Sequence, residues 1–242
     1  MSLNGYNILA VVPARGGSKG IPRKNMQLLA GLSLVARAAR VARSLDWIDK
    51  AIISTDDAEI AEEGRRYGLD VPFIRPPDLA SDEALGIDVW RHAWLTAEDH
   101  YGKRFDLSIK LEPTSPLRKP EDVERTVRTV IKGGYPAAAT VSPTPAHYSP
   151  HKTLTISDKG IIGFYLKDGA KFVLRQSIPP YYHRNGICYA AVRKHVVDQH
   201  MIVDRDTVAV IIERPVVNID ERFELELAEW LIERENKEQR SR

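Results

Sequence analysis

Ile8-Leu9-Ala10-Val11-Val12-Pro13-Ala14-Arg15-Gly16-Gly17-Ser18-Lys19-Gly20-Ile21-Pro22-Arg23-Lys24-Asn25 is an apolar run followed at once by glycines, a hydroxyl and four cations. The apolar half, rich in β-branched residues and closed by a proline, predicts a buried strand. The residues after Ala14 are not core, because Arg15, Lys19, Arg23 and Lys24 fall within ten positions. Glycines let a backbone approach a ligand closely, and their N–H groups can face an anion. Arginine then neutralises that anion by bidentate contact and lysine as a mobile point charge. The combination predicts a loop that grips the triphosphate of a nucleotide; the competing reading is an ordinary basic surface loop. Two phosphate-binding motifs are excluded. The glycines do not give G-x-G-x-x-G, and Lys19 precedes Gly20, so Gly-x4-Gly-Lys-Ser/Thr is absent.

Composition bounds the rest. Thirty-five basic and thirty-three acidic side chains leave a net charge of +2, which argues against bulk nucleic-acid binding. Cys188 is the only cysteine, so neither an intrachain disulfide nor a multi-cysteine zinc site is possible. No apolar stretch approaches the ~20 residues that span a bilayer, and no signal peptide precedes the first strand. The expectation is a cytoplasmic protein with no membrane partner. At 242 residues it forms a single domain over 1–242 with an appendage.

Strands and helices alternate, which predicts an α/β, doubly wound, mostly parallel sheet of Rossmann-like type. Further strands are expected over Lys50 to Ser54, Leu107 to Leu111, Pro136 to Ser142, Gly186 to Val192 and Thr207 to Glu213. Ser33 can cap a helix with Leu34, Ala38, Val41 and Leu45 on one stripe, leaving Arg37, Arg40 and Arg43 as a solvated face. Asp56 or Asp57 can cap the next helix, Pro120 opens another, and a charged helix starts near Arg222. Between 143 and 185 the chain becomes a β-rich insertion with exposed aromatics, and Asp158-Lys159-Gly160 predicts a hairpin turn. Cys188, inside an apolar strand, reads as a small core residue.

The first loop resembles the signature loop of the acylneuraminate cytidylyltransferases, the CMP-sialic acid synthetases. Ser54-Thr55-Asp56, Arg75-Pro76 with Leu79-Ala80-Ser81-Asp82, Pro113-Thr114-Ser115-Pro116-Leu117-Arg118, Asn185-Gly186 and Ile219-Asp220 match in the same order. The resemblance implies a nucleotidyltransferase fold with a dimerisation arm at 143–185 that completes the partner's sugar pocket. It implies that the anomeric hydroxyl of an acidic nonulosonic sugar attacks the α-phosphorus of CTP, releasing pyrophosphate. The partners are then CTP, that sugar and a second copy of the chain.

On the nucleotide it implies Arg15, Gly16, Gly17, Ser18, Lys19, Lys24 and Asn25, with Arg75, Ser81 and Asp82 near the base and ribose. A surface salt bridge is the competing role for Arg75. Lys24, Arg15 and Asp220 are the expected catalytic residues. Magnesium is the implied cofactor, on Asp220 with Asn218 as a weaker ligand; a cap for the helix that follows is the competing role for Asp220. On the sugar side it implies Glu112, Thr114, Ser115, Arg184, Asn185, Lys152 and Arg175.

Two positions depart from the family pattern. Asn218 stands where an aspartate is usual, and Glu112 where a glutamine is usual; glutamine donates and accepts, an ionised glutamate only accepts. A pyrophosphorylase of other specificity, such as a KDO cytidylyltransferase, and a nucleotide-binding protein without turnover are the alternatives.

Overall fold

The structure is a computed structural model that describes residue 3 and residues 5–240. Residues 1, 2, 4, 241 and 242 of the expected domain lie outside it. The strands are β1 (Ile8–Pro13), β2 (Leu28–Leu29), β3 (Leu32–Ser33), β4 (Lys50–Ser54), β5 (Leu107–Lys110), β6 (Ala137–Pro143), β7 (Leu154–Ile156), β8 (Ile162–Phe164), β9 (Tyr182–Val192) and β10 (Thr207–Ile211). The helices are α1 (Leu34–Ser44), α2 (Ala58–Arg66), α3 (Gly86–Tyr101), α4 (Pro120–Gly133) and α5 (Arg222–Arg240).

Six strands form one sheet in the order β10-β6-β9-β5-β1-β4. β1 runs parallel to both β4 and β5, and β10 runs parallel to β6. The expected parallel sheet carries one inverted strand, because β9 is antiparallel to β5 and to β6. Ile8, Ala10 and Val12 pack with Val35, Ala38 and Ala42 of α1 and with Val123 and Val127 of α4. Leu9 and Val11 face the other way, onto Trp90, Ala93, Trp94 and Ala97 of α3. Burial on both faces explains why β1 is apolar at every position.

Ser33 caps α1 by accepting from Ala36 N at 3.0 Å, and Asp57 caps α2 by accepting from Glu59 N and Ile60 N. α3 is missing from the sequence-based expectation. Its helical spacing of Trp90, Trp94 and Ala97 is regular, but Leu85 at its start supplies no side-chain cap, so the usual start signal is absent. Arg37 is corrected: it is half-buried and donates to the Leu29 carbonyl, whereas Arg40 and Arg43 are exposed.

β7 and β8 form the expected hairpin, with Gly160 at φ +76° in its turn. The hairpin and its neighbours expose Ile156, Ile161, Ile162 and Tyr165. β9 begins at Tyr182, ahead of Gly186, because Tyr182, His183 and Arg184 pair with the end of β6 beyond a register shift. A third apolar cluster joins Ile21, Leu29 and Leu34 to Val217, Ile219, Leu225 and Ala228. It clamps α5 and the segment before it onto the loop after β1. Among the described residues no helix is long and apolar enough to cross a membrane.

Candidate active site

After β1 the chain moves to β4 on one side, and its next sheet strand, β5, lies on the other. Ligands of open α/β sheets bind at such a switch point, beyond the strands' carboxyl ends. A cleft opens there. The first loop lines it with Pro13, Arg15, Gly17, Ser18, Lys24 and Asn25, the end of β5 with Lys110, Glu112, Pro113 and Thr114, and Arg75, Gly86 and Val89 complete it.

Within the loop, the roles of the glycines separate. Gly17 is open, with no atom within 4 Å of the position a Cβ would take. Gly16 is corrected: its N–H is donated to Asp56 Oδ1 at 2.9 Å, so it is not directed at a phosphate. A Cβ at Gly16 would lie 2.8 Å from Asp57 Oδ2, so this glycine is required for space. Asn25 is buried and donates Nδ2 to the Arg15 carbonyl at 2.9 Å, closing the loop on itself. Arg23 turns away from the cleft, with φ 50°, and pairs with Asp57 and Glu59.

The two ends of the chain meet in one ion pair. Lys24 Nζ lies 2.7 Å from Asp220 Oδ1; the lysine side chain is 15% exposed and the carboxylate 69%. Gly20 makes the approach possible, since a Cβ there would overlap the Asp220 carbonyl oxygen. Asn218 is exposed two residues before Asp220, and Ile219 N between them donates to the Thr114 carbonyl at 2.7 Å. No group of three or more His, Cys, Asp or Glu is arranged for a metal among the described residues. One exposed carboxylate, paired through Oδ1 with Lys24, and a neighbouring amide fit magnesium, which takes only one or two protein carboxylates and completes its shell with phosphates and waters.

Arg15 donates to the Ser81 carbonyl at 2.8 Å and to Asp82 Oδ1 at 2.6 Å, and Lys19 Nζ lies 2.7 Å from Asp82 Oδ2. Hydrogen bonds from Lys19 and then Arg15 hold the Asp82 carboxyl below its usual range. Ser81 and Asp82 are outside the residues that line the cleft, and Asp82 meets the same cations expected to receive the triphosphate. Arg75 is no surface salt bridge. It is 4% exposed and binds Ser54 through Nε at 3.0 Å, and burial pulls its guanidinium down to about 10, with Asp56 opposing. Its Nη2 also reaches the Ser54 carbonyl.

The sugar-side expectations divide three ways. Glu112 and Thr114 line the cleft. Ser115 and Asn185 are corrected from contact groups to braces, because both are buried with their polar atoms engaged. Ser115 Oγ donates to the Asn185 carbonyl at 2.8 Å. Asn185 donates to Ser142 Oγ and accepts from Thr140 Oγ1 and Ile187 N. Arg118 is a further brace, donating to the carbonyls of Glu112 at 2.7 Å and Gly186 at 3.2 Å and to that of Ile187. Arg184 is exposed on β9 outside the cleft lining, and Lys152 and Arg175 line a separate groove on the arm with Pro145, His147 and Val173. Lys110 was not anticipated from the sequence, where its signal was a cation within a short central strand. Its Nζ lies 2.9 Å from Glu112 Oε1.

Comparison with known proteins gives the family and the fold. The family model described as "Cytidylyltransferase" matches residues 9–235. The chain is 30% identical over 230 residues to post-translational flagellin modification protein B of Campylobacter coli, covering 95% of this chain and 96% of that protein. It is also 30% identical over 232 residues to the CMP-N,N'-diacetyllegionaminic acid synthase of Legionella pneumophila, covering 93% of this chain and 96% of that one. A solved CMP:2-keto-3-deoxy-manno-octonic acid synthetase, complexed with CTP, superposes with a TM-score of 0.68 at 17% identity, covering 95% of this chain and 99% of that one. That likeness shows the fold. The chain belongs to the cytidylyltransferase family and is a nucleotidyltransferase.

Proposed function

We propose that this protein transfers CMP from CTP to the anomeric hydroxyl of a nonulosonic acid of the sialic or legionaminic type. The observation that carries the proposal is the switch-point cleft, where Arg15, Ser18 and Lys24 face Lys110, Glu112 and Thr114 with Asp220 against Lys24. The cationic side suits a triphosphate and the β5 side an acceptor sugar. The similarity to the legionaminic acid synthase over nearly the whole chain supports the same reading.

In the reaction, a bond forms between the sugar's anomeric oxygen and the α-phosphorus, and the bond from that phosphorus to the bridging oxygen breaks. Pyrophosphate leaves, and the hydroxyl proton passes to solvent or a nearby base. Such transfer is governed by placement and charge neutralisation. Arg15 and Ser18 hold the phosphates, and Lys24 follows the charge that builds towards the leaving pyrophosphate. Asp220, with Asn218, would hold magnesium, which neutralises phosphate charge when bound. The exposed apolar arm supports a homodimer, with Lys152 and Arg175 delivered to the other copy's acceptor site.

Pyrophosphate release with CTP, ATP, GTP and UTP, over a panel of nonulosonic acids and KDO, tests this function. Turnover confined to CTP and a nine-carbon acid is expected. Equal use of the four nucleotides, or CTP binding with no product from any acid, would sink it.

A further inference from the structure

At the end of β5, Lys110 projects to the α3 side of the sheet, the side on which Trp90 Nε1 donates to Ser108 Oγ at 2.9 Å. Tyr189 stands directly across from Lys110 in register, and the ammonium lies 4.6 Å from its ring centroid. Lys110 is 5% exposed. A cation so enclosed requires a counter-charge, and Glu112 provides it at 2.9 Å. The residue is also held at its main chain, and its second carboxylate oxygen has room. Arg118 holds the Glu112 carbonyl, and Gly186 leaves room for Oε2, which a Cβ would meet at 2.6 Å.

Buried ion pairs contribute little net stability, and apolar replacements of both partners are often neutral. A pair held this closely in the wall of a cleft points to recognition. Lys110 engages Oε1, and no protein hydrogen bond occupies Oε2 among the described residues. We propose that the Lys110–Glu112 pair sets acceptor specificity: Glu112 Oε2 accepts a hydrogen bond from a hydroxyl or N–H of the sugar. Lys110 is the positioning residue, fixing that oxygen and offsetting its charge beside an acidic substrate. A carboxylate accepts only, whereas an amide serves either partner, so the pair selects sugars that present a donor at this point.

This inference rests on the proposed function, and the test separates them. Turnover of N-acetylneuraminate and legionaminate is measured on the full chain with CTP and magnesium. Derivatives in which one hydroxyl or amide N–H at a time is methylated or removed are run alongside. In wild type, loss of one particular donor is expected to lower kcat/KM by about 10- to 100-fold. In Glu112→Gln that difference falls to about threefold or less, with CTP affinity by calorimetry held within about threefold. Lys110→Met raises the sugar KM more than it lowers kcat, Lys110→Arg restores it, and Lys110→Met/Glu112→Gln recovers part of the loss because no unpaired carboxylate remains.

Parallel losses for every sugar derivative in all variants would show a merely structural pair and overturn the inference. So would a changed CTP affinity with unchanged sugar discrimination. Wild type that turns over no nonulosonic acid with CTP overturns the parent function and this inference with it. Active wild type without the donor coupling overturns the pair alone.

Discussion

Lys24 and Asp220, 196 positions apart in sequence, form a 2.7 Å ion pair at the mouth of the cleft. The lysine expected to stabilise phosphate charge and the carboxylate expected to hold magnesium thus neutralise one another before substrate arrives. On the proposed function, metal and triphosphate would separate the pair and give each partner its own counter-charge. Lys24→Met is expected to lower kcat on the order of 100-fold or more. Asp220→Asn raises the magnesium concentration needed for half-maximal rate. Steady-state kinetics over a magnesium titration checks both; unchanged kcat in Lys24→Met would place the charge stabilisation elsewhere.

Gly20 keeps the same pair in register from the backbone. A Cβ there meets a carbonyl of the main chain, which has no flexible end to move aside. Gly20→Ala is therefore expected to push the first loop off the Asp220 segment and lower kcat/KM by about tenfold or more while the sheet stays folded. Kinetics alongside circular dichroism decide it, and near wild-type activity would contradict the close approach.

Asp82 pairs with Arg15 and Lys19, so under the proposed function it competes with CTP for both cations. Its replacement by asparagine removes the competitor at the cost of two exposed ion pairs, each weak in water. Asp82→Asn is expected to tighten CTP binding by about two- to fivefold, with a steeper salt dependence. Calorimetry at two ionic strengths measures this. Weaker binding would mean that Asp82 contacts the nucleotide itself.

Glu98 is the polar anchor of the α3 layer. Its Oε1 accepts from Trp94 Nε1 at 3.2 Å and Phe105 N at 3.1 Å, and Arg193 pairs with it at 3.0 Å. Glu98→Ala strands these donors and is expected to cost about 3–5 kcal/mol in urea unfolding. A loss below about 1 kcal/mol would show that the network relaxes without it.

Cys188 is sealed in β9, and burial pushes its thiol up to about 12, with Arg118 opposing. Native protein should leave a thiol reagent unreacted at pH 8, and denatured protein should react with one equivalent. The folded thiol keeps its proton after the unfolded one, at 9.0, has lost it. Its contribution is thus complete below about 9 and falls as pH rises towards about 12. Over that window Cys188→Ala should flatten the stability slope by up to one proton; an unchanged slope would show that other groups set the alkaline limit.

Much of the sheet was legible in the sequence because its central strands are largely buried, and β1, buried on both faces, reads as an unbroken apolar run. β4 starts and ends where Lys50 to Ser54 predicted, and Ser33 and Asp57 cap the helices they precede. α3 was not legible, since its first residues carry no cap, and the direction of β9 was not, since an apolar run has no direction until its neighbours are known. In the site, the cations and glycines announced themselves by type. Gly16 and Asn185 did not reveal their engagement, because a polar group directed at a ligand and one directed at a neighbouring strand look alike in a one-dimensional string.

An α/β sheet with a cationic loop after its first strand could be read from the chain alone, because strand burial, capping and charge density are local and recur at short spacing; the nucleotidyltransferase activity was implied by the resemblance of its motifs. Which charges are already answered emerged only from the folded molecule: Lys24 by Asp220, Arg15 and Lys19 by Asp82, Lys110 by Glu112. Coulomb attraction and hydrogen bonding act over a few ångströms of space, whatever the separation along the chain, so the pairings with Asp220 and Asp82 came into view only when the sheet brought distant loops to one edge. Lys110 and Glu112 are near neighbours in the chain, and there it was the burial of the lysine that only the fold supplied.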